Sequence, residues 1–480
     1  MKIQRLLHIP AVATALLAVS LTAACGLAAA PAQTAERTGA MGAQAKGLPP
    51  APAWLEGAVI YAMVPPLAGE NPLQDTTRRL DEVKALGADA IWLSPIHPTD
   101  DPSGISYAVT DYTGVREDFG TKADFKRLVA EAHRRGLKVL MDFVPNHTST
   151  GHPHYEDAQT RGKTSPYYDH YVRDAQGQAQ HYFDWDNLKN LNFDHPAVQA
   201  EMIENFSFWV REMGVDGFRV DAAWGPTERT PAFWPKLSRA LHAIKPDVFL
   251  LAEASARDPY YVNNGFDAAY DWNQALGHWS WETVWEAPAQ AGDRLREAMA
   301  GKETPPDRVA RFLNNNDTGK RFITRYGVAN QRAAAVLLHT LPGIPVVYMG
   351  DEIGAEFEPY EDPAPLVWND PHRLRPLYRK LAALKGDLPA LRTGAFAELN
   401  VGKAPGVYAF TRDAGAQGIA LVAANFGQGG TFSIALPAGL RKAMTLTDAL
   451  TGTRYPVAAG QTSLALPLPK AAAVVLTPAK

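Results

Sequence analysis

Between residues 58 and 349 of the chain, short apolar β-type runs alternate with segments of helical spacing, without an internal sequence repeat. That alternation restricts it to a parallel sheet with crossover helices. Seven runs are clearly marked, at residues 58–64, 88–94, 137–144, 215–221, 248–254, 309–313 and 344–349, and residues 266–272 are the candidate for an eighth. Helical patterns fill residues 76–86, 122–135, 197–213 and 232–244; in the second, Phe125, Leu128, Val129 and Ala132 share one face. The expected architecture is α/β, a (β/α)8 TIM barrel.

Two departures from the rhythm divide the chain. Residues 145–195 are rich in His, Tyr, Asp, Asn and Gly and too long for an ordinary loop, so they read as a small subdomain inserted after the third strand. From residue 391 to 480 short β-rich runs separated by Gly and Pro predict a C-terminal antiparallel β-sandwich domain. The barrel is then expected from 53–144 and 196–390. Residues 26–52, rich in Ala, Gly, Pro and Thr, read as a flexible linker.

Lys2 and Arg5 ahead of an apolar stretch that ends in small residues give residues 1–25 the form of an export signal. Cys25, the one cysteine, stands where that signal ends and is a candidate for lipid attachment, the alternative being plain cleavage near the alanine run. The expected location is periplasmic or secreted, with a membrane contact only through such an anchor. The formal charge of −4 gives no reason to expect nucleic acid and suits a neutral substrate.

Three carboxylates fall at the ends of β-type runs: Asp221 after Gly217-Phe218-Arg219-Val220, Glu253 after Leu250-Leu251-Ala252, and Asp317 after Asn314-Asn315-Asn316. Every strand of such a barrel opens its carboxyl end on the same face, so three distant positions converge on one pocket. Any one of them alone is better read as a helix cap or a solvated loop acid. Cleavage of a glycoside with retention needs a nucleophilic carboxylate and a proton-donating one about 5 Å apart. Arg219, on the same strand face as Asp221, is expected to lower the pKa of the nucleophile. An apolar setting and the negative Asp221 are expected to raise that of Glu253. The third carboxylate is left to stabilise positive charge on the sugar.

Read together, these segments resemble the α-amylase family of glycoside hydrolases, family thirteen. The motifs are Asp142-Phe143-Val144-Pro145-Asn146-His147, residues 217–221, Glu253 and residues 312–317, supported by Tyr107-Ala108-Val109-Thr110-Asp111-Tyr112 and by residues 348–354. The resemblance implies that Asp221 is the nucleophile, Glu253 the general acid/base and Asp317 the transition-state stabiliser. It also implies that Arg219 orients the nucleophile, that His147 hydrogen-bonds the sugar and that Tyr107 stacks beneath it. The bland readings of the last two are a core histidine and a packing tyrosine. Tyr167, Tyr168, Tyr182, Phe183 and Trp185 either line a glucan cleft or form the core of the insert.

Four positions depart from the family pattern. Asn316 stands where a His usually precedes Asp317, and it can donate and accept but not carry charge. Trp224-Gly225 replaces a Lys-His pair, which makes Trp224 a candidate stacking platform. Asn190 replaces the Asp that, with the residue matched by Asn146, contributes to the family's frequent calcium site; neutral amides bind Ca²⁺ weakly, so no cofactor is required and calcium is only a candidate. Ala108 replaces an Asp beside the stacking Tyr107.

The expected activity is retaining hydrolysis of α-1,4-glucosidic bonds in maltooligosaccharides or other α-glucans by a monomer or small oligomer. A glucosyltransferase or isomerase on the same fold is the alternative, because a covalent intermediate can pass its sugar to another hydroxyl. A non-catalytic glycan-binding protein is the reading from a different class, and retention of all three carboxylates weighs against it.

Overall fold

Eight strands close into a parallel barrel: β1 (Ile60–Met63), β2 (Ala90–Leu93), β3 (Lys138–Phe143), β4 (Gly217–Val220), β5 (Phe249–Ser255), β6 (Ala268–Tyr270), β7 (Val309–Phe312) and β8 (Ile344–Tyr348). Each pairs in parallel with its sequence neighbours, and β1 with β8 seals the ring. The computed structural model describes residues 48–101, 104–273, 277–301, 304–361 and 364–479. The expected leader, Cys25 and all but the end of the linker lie outside the described residues. No helix among those described is long and apolar enough to cross a membrane.

Barrel strands are covered on both faces, and their sequences are accordingly near-continuous apolar runs, as in Ala90-Ile91-Trp92-Leu93, all buried. The helices between them have local start signals. Thr121 accepts a hydrogen bond from the Asp124 N–H at 3.1 Å while the Asp124 carboxylate accepts from the Thr121 N–H, and the helix Lys122–Arg134 buries Phe125, Leu128, Val129 and Ala132. Proline opens the helices Pro72–Leu86, Pro153–Arg161 and Pro196–Arg211, where its missing N–H costs no helical bond. The weakly marked eighth run contains β6, which is three residues long and seated between β5 and β7.

Between β3 and the helix Pro196–Arg211 the chain leaves the barrel. Segments His147–Ser149, Trp185–Asn190 and His181–Tyr182 form a three-stranded antiparallel sheet in that order, with the helix Pro153–Arg161 in the connection. After residue 394, a six-stranded antiparallel sheet and a two-stranded one, Gly430–Ala435 with Ser463–Leu468, enclose a separate apolar core. Leu464, Leu466 and Leu468 alternate into that core with the period of two.

Candidate active site

The site is built around one buried guanidinium. Arg219, on β4 and 1% exposed, has three carboxylates within bonding distance. Its Nη1 lies 2.8 Å from Asp221 Oδ1 and 2.9 Å from Asp142 Oδ1, and its Nη2 lies 2.8 Å from Glu253 Oε1. Its Nε donates to the Tyr270 hydroxyl at 3.0 Å. Asp142 lies on β3, Asp221 directly after β4, Glu253 on β5 and Tyr270 on β6, so four neighbouring strands contribute from one face. The register between β5 and β6 shifts between Ala252 and Ser255, at the position of Glu253.

Ala222 follows the first carboxylate at φ +43°, a conformation unusual for a residue with a Cβ, and its N–H donates to Glu253 Oε2 at 2.6 Å. The left-handed turn thus aims a backbone donor at the second carboxylate. Both carboxyls are buried, Asp221 at 7% and Glu253 at 8% exposure.

Burial pushes the Asp221 carboxyl up to about 7; Arg219 pulls it down, Asp142 pushes it up, and a hydrogen bond from Glu253 pulls it down. Glu253 is held well above the usual carboxylate range by burial, with Asp221 and Asp317 adding to the rise against Arg219. The raised Glu253 matches the sequence expectation. The raised Asp221 does not, because Arg219 is shared with Asp142 and Glu253 and burial outweighs what remains of its charge. Asp142 is raised in the same way, to about 7.

Asp317 stands past β7 at the open side of the cleft and accepts from the Tyr360 hydroxyl at 3.1 Å. The residue as a whole is exposed, yet burial of its carboxyl raises its pKa against the pull of Arg219 and Tyr360, and its charge acts on both Asp221 and Glu253. The three sequence-derived acids are therefore gathered at one end of the barrel.

Tyr107 donates to Asp142 Oδ2 at 3.2 Å and accepts from Asn316 Nδ2 at 2.6 Å, and Asn316 Oδ1 accepts from the Tyr348 hydroxyl. Asn316 uses both ends of its amide to fix Tyr107. The ring nitrogens of His147 also face protein: Nδ1 meets Asn146 Nδ2 at 3.1 Å and Nε2 meets the Tyr107 carbonyl at 3.2 Å. His147 is 1% exposed, burial lowers its pKa to about 3, and its ring stacks on Tyr182 at 4.8 Å.

Tyr182 leads outward to an open aromatic group. Phe183 and Trp185 are 54% and 50% exposed, so they are not the core of the insert, and Trp224 lies 5.5 Å from Phe183 and 5.7 Å from Tyr182. Tyr167 instead stacks on His154, and Tyr168 packs under Arg173, both within the insert.

The amides at the candidate calcium position are already committed. Arg229 Nη2 donates to Asn146 Oδ1 and, at 3.4 Å, to its carbonyl. Asn190 Oδ1 accepts from Asn146 Nδ2 at 3.3 Å, and Asn190 Nδ2 donates to the His181 carbonyl. A cation bonded to both Asn146 oxygens, with no carboxylate from this pair, does not fit an oxygen cage for Ca²⁺.

Sequence reading missed Tyr360, Tyr270, Trp92, the Ala222 N–H and Arg229. Trp92 donates to Asp142 at 3.3 Å from β2, a position whose apolar run carried no sign of a polar role. Tyr360 lies in an irregular segment with no periodic signal.

A family model described as the α-amylase catalytic domain matches residues 68–370. Alpha-amylase MalA of Haloarcula japonica is 33% identical over 410 residues, which is 81% of this chain and 58% of that protein. The chain thus spans little more than half the length of that relative. Neopullulanase 2 of Thermoactinomyces vulgaris is 28% identical over 411 residues, 82% of this chain and 69% of its own. The crystal structure of an Anoxybacillus α-amylase superposes with a TM-score of 0.74 at 25% identity, covering 88% of this chain and 98% of that one. With its catalytic-domain match spanning most of the barrel, the chain belongs to the α-amylase family of glycoside hydrolases.

Proposed function

We propose that the chain hydrolyses α-1,4-glucosidic bonds of maltooligosaccharides or starch-type glucans with retention of configuration. The observation that carries this reading is the single guanidinium of Arg219 reaching Asp221 and Glu253 at 2.8 Å each. Two carboxyls from separate strands are thereby held next to each other on one guanidinium.

In the proposed reaction Glu253 gives its proton to the glycosidic oxygen as the bond to the anomeric carbon breaks. Asp221 attacks that carbon from the opposite face and forms a glycosyl ester. Glu253, now a carboxylate, takes a proton from water, whose oxygen displaces Asp221 and restores the original configuration. Asp317 faces the positive charge that develops on the sugar, and Tyr107, locked by Asn316 and Asp142, presents a ring to the sugar's apolar side. Asp142 and Tyr270 keep Arg219 in place, and His147 acts by positioning Tyr107 and Tyr182.

Transfer of the glucosyl group to a second sugar is the competing outcome, and the exposed Phe183 and Trp185 beside Trp224 favour it, since flat apolar rings suit an acceptor sugar. The relatives named as an amylase and a neopullulanase are consistent with α-glucan chemistry. The amino-terminal segment supports export to the periplasm or medium, with Cys25 as the point of a lipid anchor if one is added. A time course of products from maltoheptaose tests the reading: shorter oligomers released first in the α-anomeric form support hydrolysis with retention. Products longer than seven units would shift the assignment to transfer, and β-anomers would end the retaining mechanism.

A further inference from the structure

Two histidines and a glutamate converge in the insert and on the barrel helix that follows it. His154 lies in the first turn of the helix Pro153–Arg161, His170 ends the short turn Tyr168–His170, and Glu201 belongs to the helix Pro196–Arg211. Nδ1 of His154 is 3.4 Å from Glu201 Oε1, and Nδ1 of His170 is 3.8 Å from Glu201 Oε2. One donor atom from each of the three lies within 4.8 Å of the others. An ion bonded tetrahedrally to nitrogen and oxygen at about 2.1 Å needs its donors roughly 3.4 Å apart. The widest separation in the group, at most 4.8 Å, exceeds that spacing by no more than about 1.4 Å.

We propose that His154, His170 and Glu201 bind one divalent cation of the zinc type, which ties the insert to the barrel. Two imidazole nitrogens with one carboxylate and an open position suit Zn²⁺, whereas Ca²⁺ takes oxygen donors. The surroundings preorganise the group. The Tyr167 ring lies 3.7 Å from that of His154 at an interplanar angle of 9°, which fixes the imidazole plane. His170 is buried, 7% exposed, with the His195 ring 5.1 Å away. Next to His170, the Tyr171 hydroxyl lies 3.1 Å from Thr148 Oγ1, in the strand that begins with His147. An ion here braces the segment that carries the wall of the cleft, without touching the three acids.

The test uses the full chain, stripped with a chelator, dialysed and titrated with ZnCl₂ by calorimetry, with Co²⁺ absorption as a second signal. The expected result is saturable binding of one ion per chain, a higher Tm with Zn²⁺, and Co²⁺ bands typical of low coordination. His154→Ala and Glu201→Gln, both at half-buried positions and each checked for a cooperative unfolding transition, should each weaken Zn²⁺ binding by more than about tenfold. Absence of one-to-one binding in the unaltered chain, or unweakened binding in both variants, would overturn the proposal. Hydrolysis is not read in this experiment, so its failure leaves the proposed function standing.

Discussion

Arg219 carries one positive charge and faces Asp142, Asp221 and Glu253 in a buried setting, which leaves the cluster with more acid than base. Burial is the main reason the Asp221 carboxyl rises to about 7 and Glu253 rises as well, against the sequence expectation of a lowered nucleophile, and the surplus of acid around one shared guanidinium keeps Arg219 from offsetting it. Sequence spacing made the Arg219–Asp221 pair legible, two residues apart on one strand face, but Asp142 lies 77 residues away on β3 and only the fold brings it to the same guanidinium. A carboxyl whose pKa is raised by folding favours the native state at low pH and loses that contribution as pH climbs from about 4 through about 7. Asp221→Asn removes that loss while leaving Arg219 paired with Asp142 and Glu253. The variant should lose turnover by about 10³-fold or more. Its stability should match the parent near pH 4 and exceed it near pH 8, at about 1.4 kcal/mol per unit of pKa shift as an upper bound. Turnover and Tm measured across that pH range check both parts; near-parental activity, or lower stability at pH 8, would contradict them. In the parent, kcat/KM should fall on the acid side as pH drops through about 7, where Asp221 takes up a proton, and on the alkaline side as Glu253 loses its own.

At the scale of elements, the strands with long apolar runs were readable because burial on both faces leaves a continuous signature, and the capped helix Lys122–Arg134 because its first turn carries its own hydrogen bonds. β6 was barely readable, since three residues are too few for a period. The insert was legible as an interruption, but not which of its rings pack and which face out: Tyr167 covers His154, whereas Phe183, at φ +48°, stands exposed. The substitution at Asn190 signalled a weak calcium position, and nothing in the sequence pointed to Arg229, 83 residues from Asn146, as the cation that meets it. Burial lowers the Arg229 guanidinium to about 10, which leaves it charged at neutral pH. Millimolar Ca²⁺ added to chelator-stripped protein should therefore leave Tm unchanged within about 1 °C, since a ligand stabilises only what it binds. A rise of several degrees with Ca²⁺ would contradict the view that Arg229 fills that place.

The whole molecule joins the barrel to the C-terminal domain by specific contacts. Arg412 donates from the antiparallel sheet to the carbonyls of Gly394 at 2.9 Å and Thr340 at 3.0 Å, the latter ending a barrel helix. Trp285 meets Phe426 edge to face at 4.5 Å. Gly292, in the helix Ala291–Met299, lies so close to the Val407 strand that an added Cβ would sit 2.2 Å from the Val407 carbonyl oxygen. Gly292→Ala is therefore expected to force the two domains apart locally and lower stability by about 1–3 kcal/mol, measured by thermal or urea unfolding. A change below about 0.5 kcal/mol would mean that the contact gives way freely. In the proposed reaction Asp221 bonds covalently to the sugar and Glu253 manages the proton. The covalent step is captured by reacting Glu253→Gln with an activated fluoro-substituted α-glucosyl donor, digesting the protein and mapping the adduct by mass spectrometry. One glycosyl group is expected on the peptide carrying Asp221; an adduct on another carboxylate, or none while the donor is consumed with inversion, would rule out Asp221 as the nucleophile.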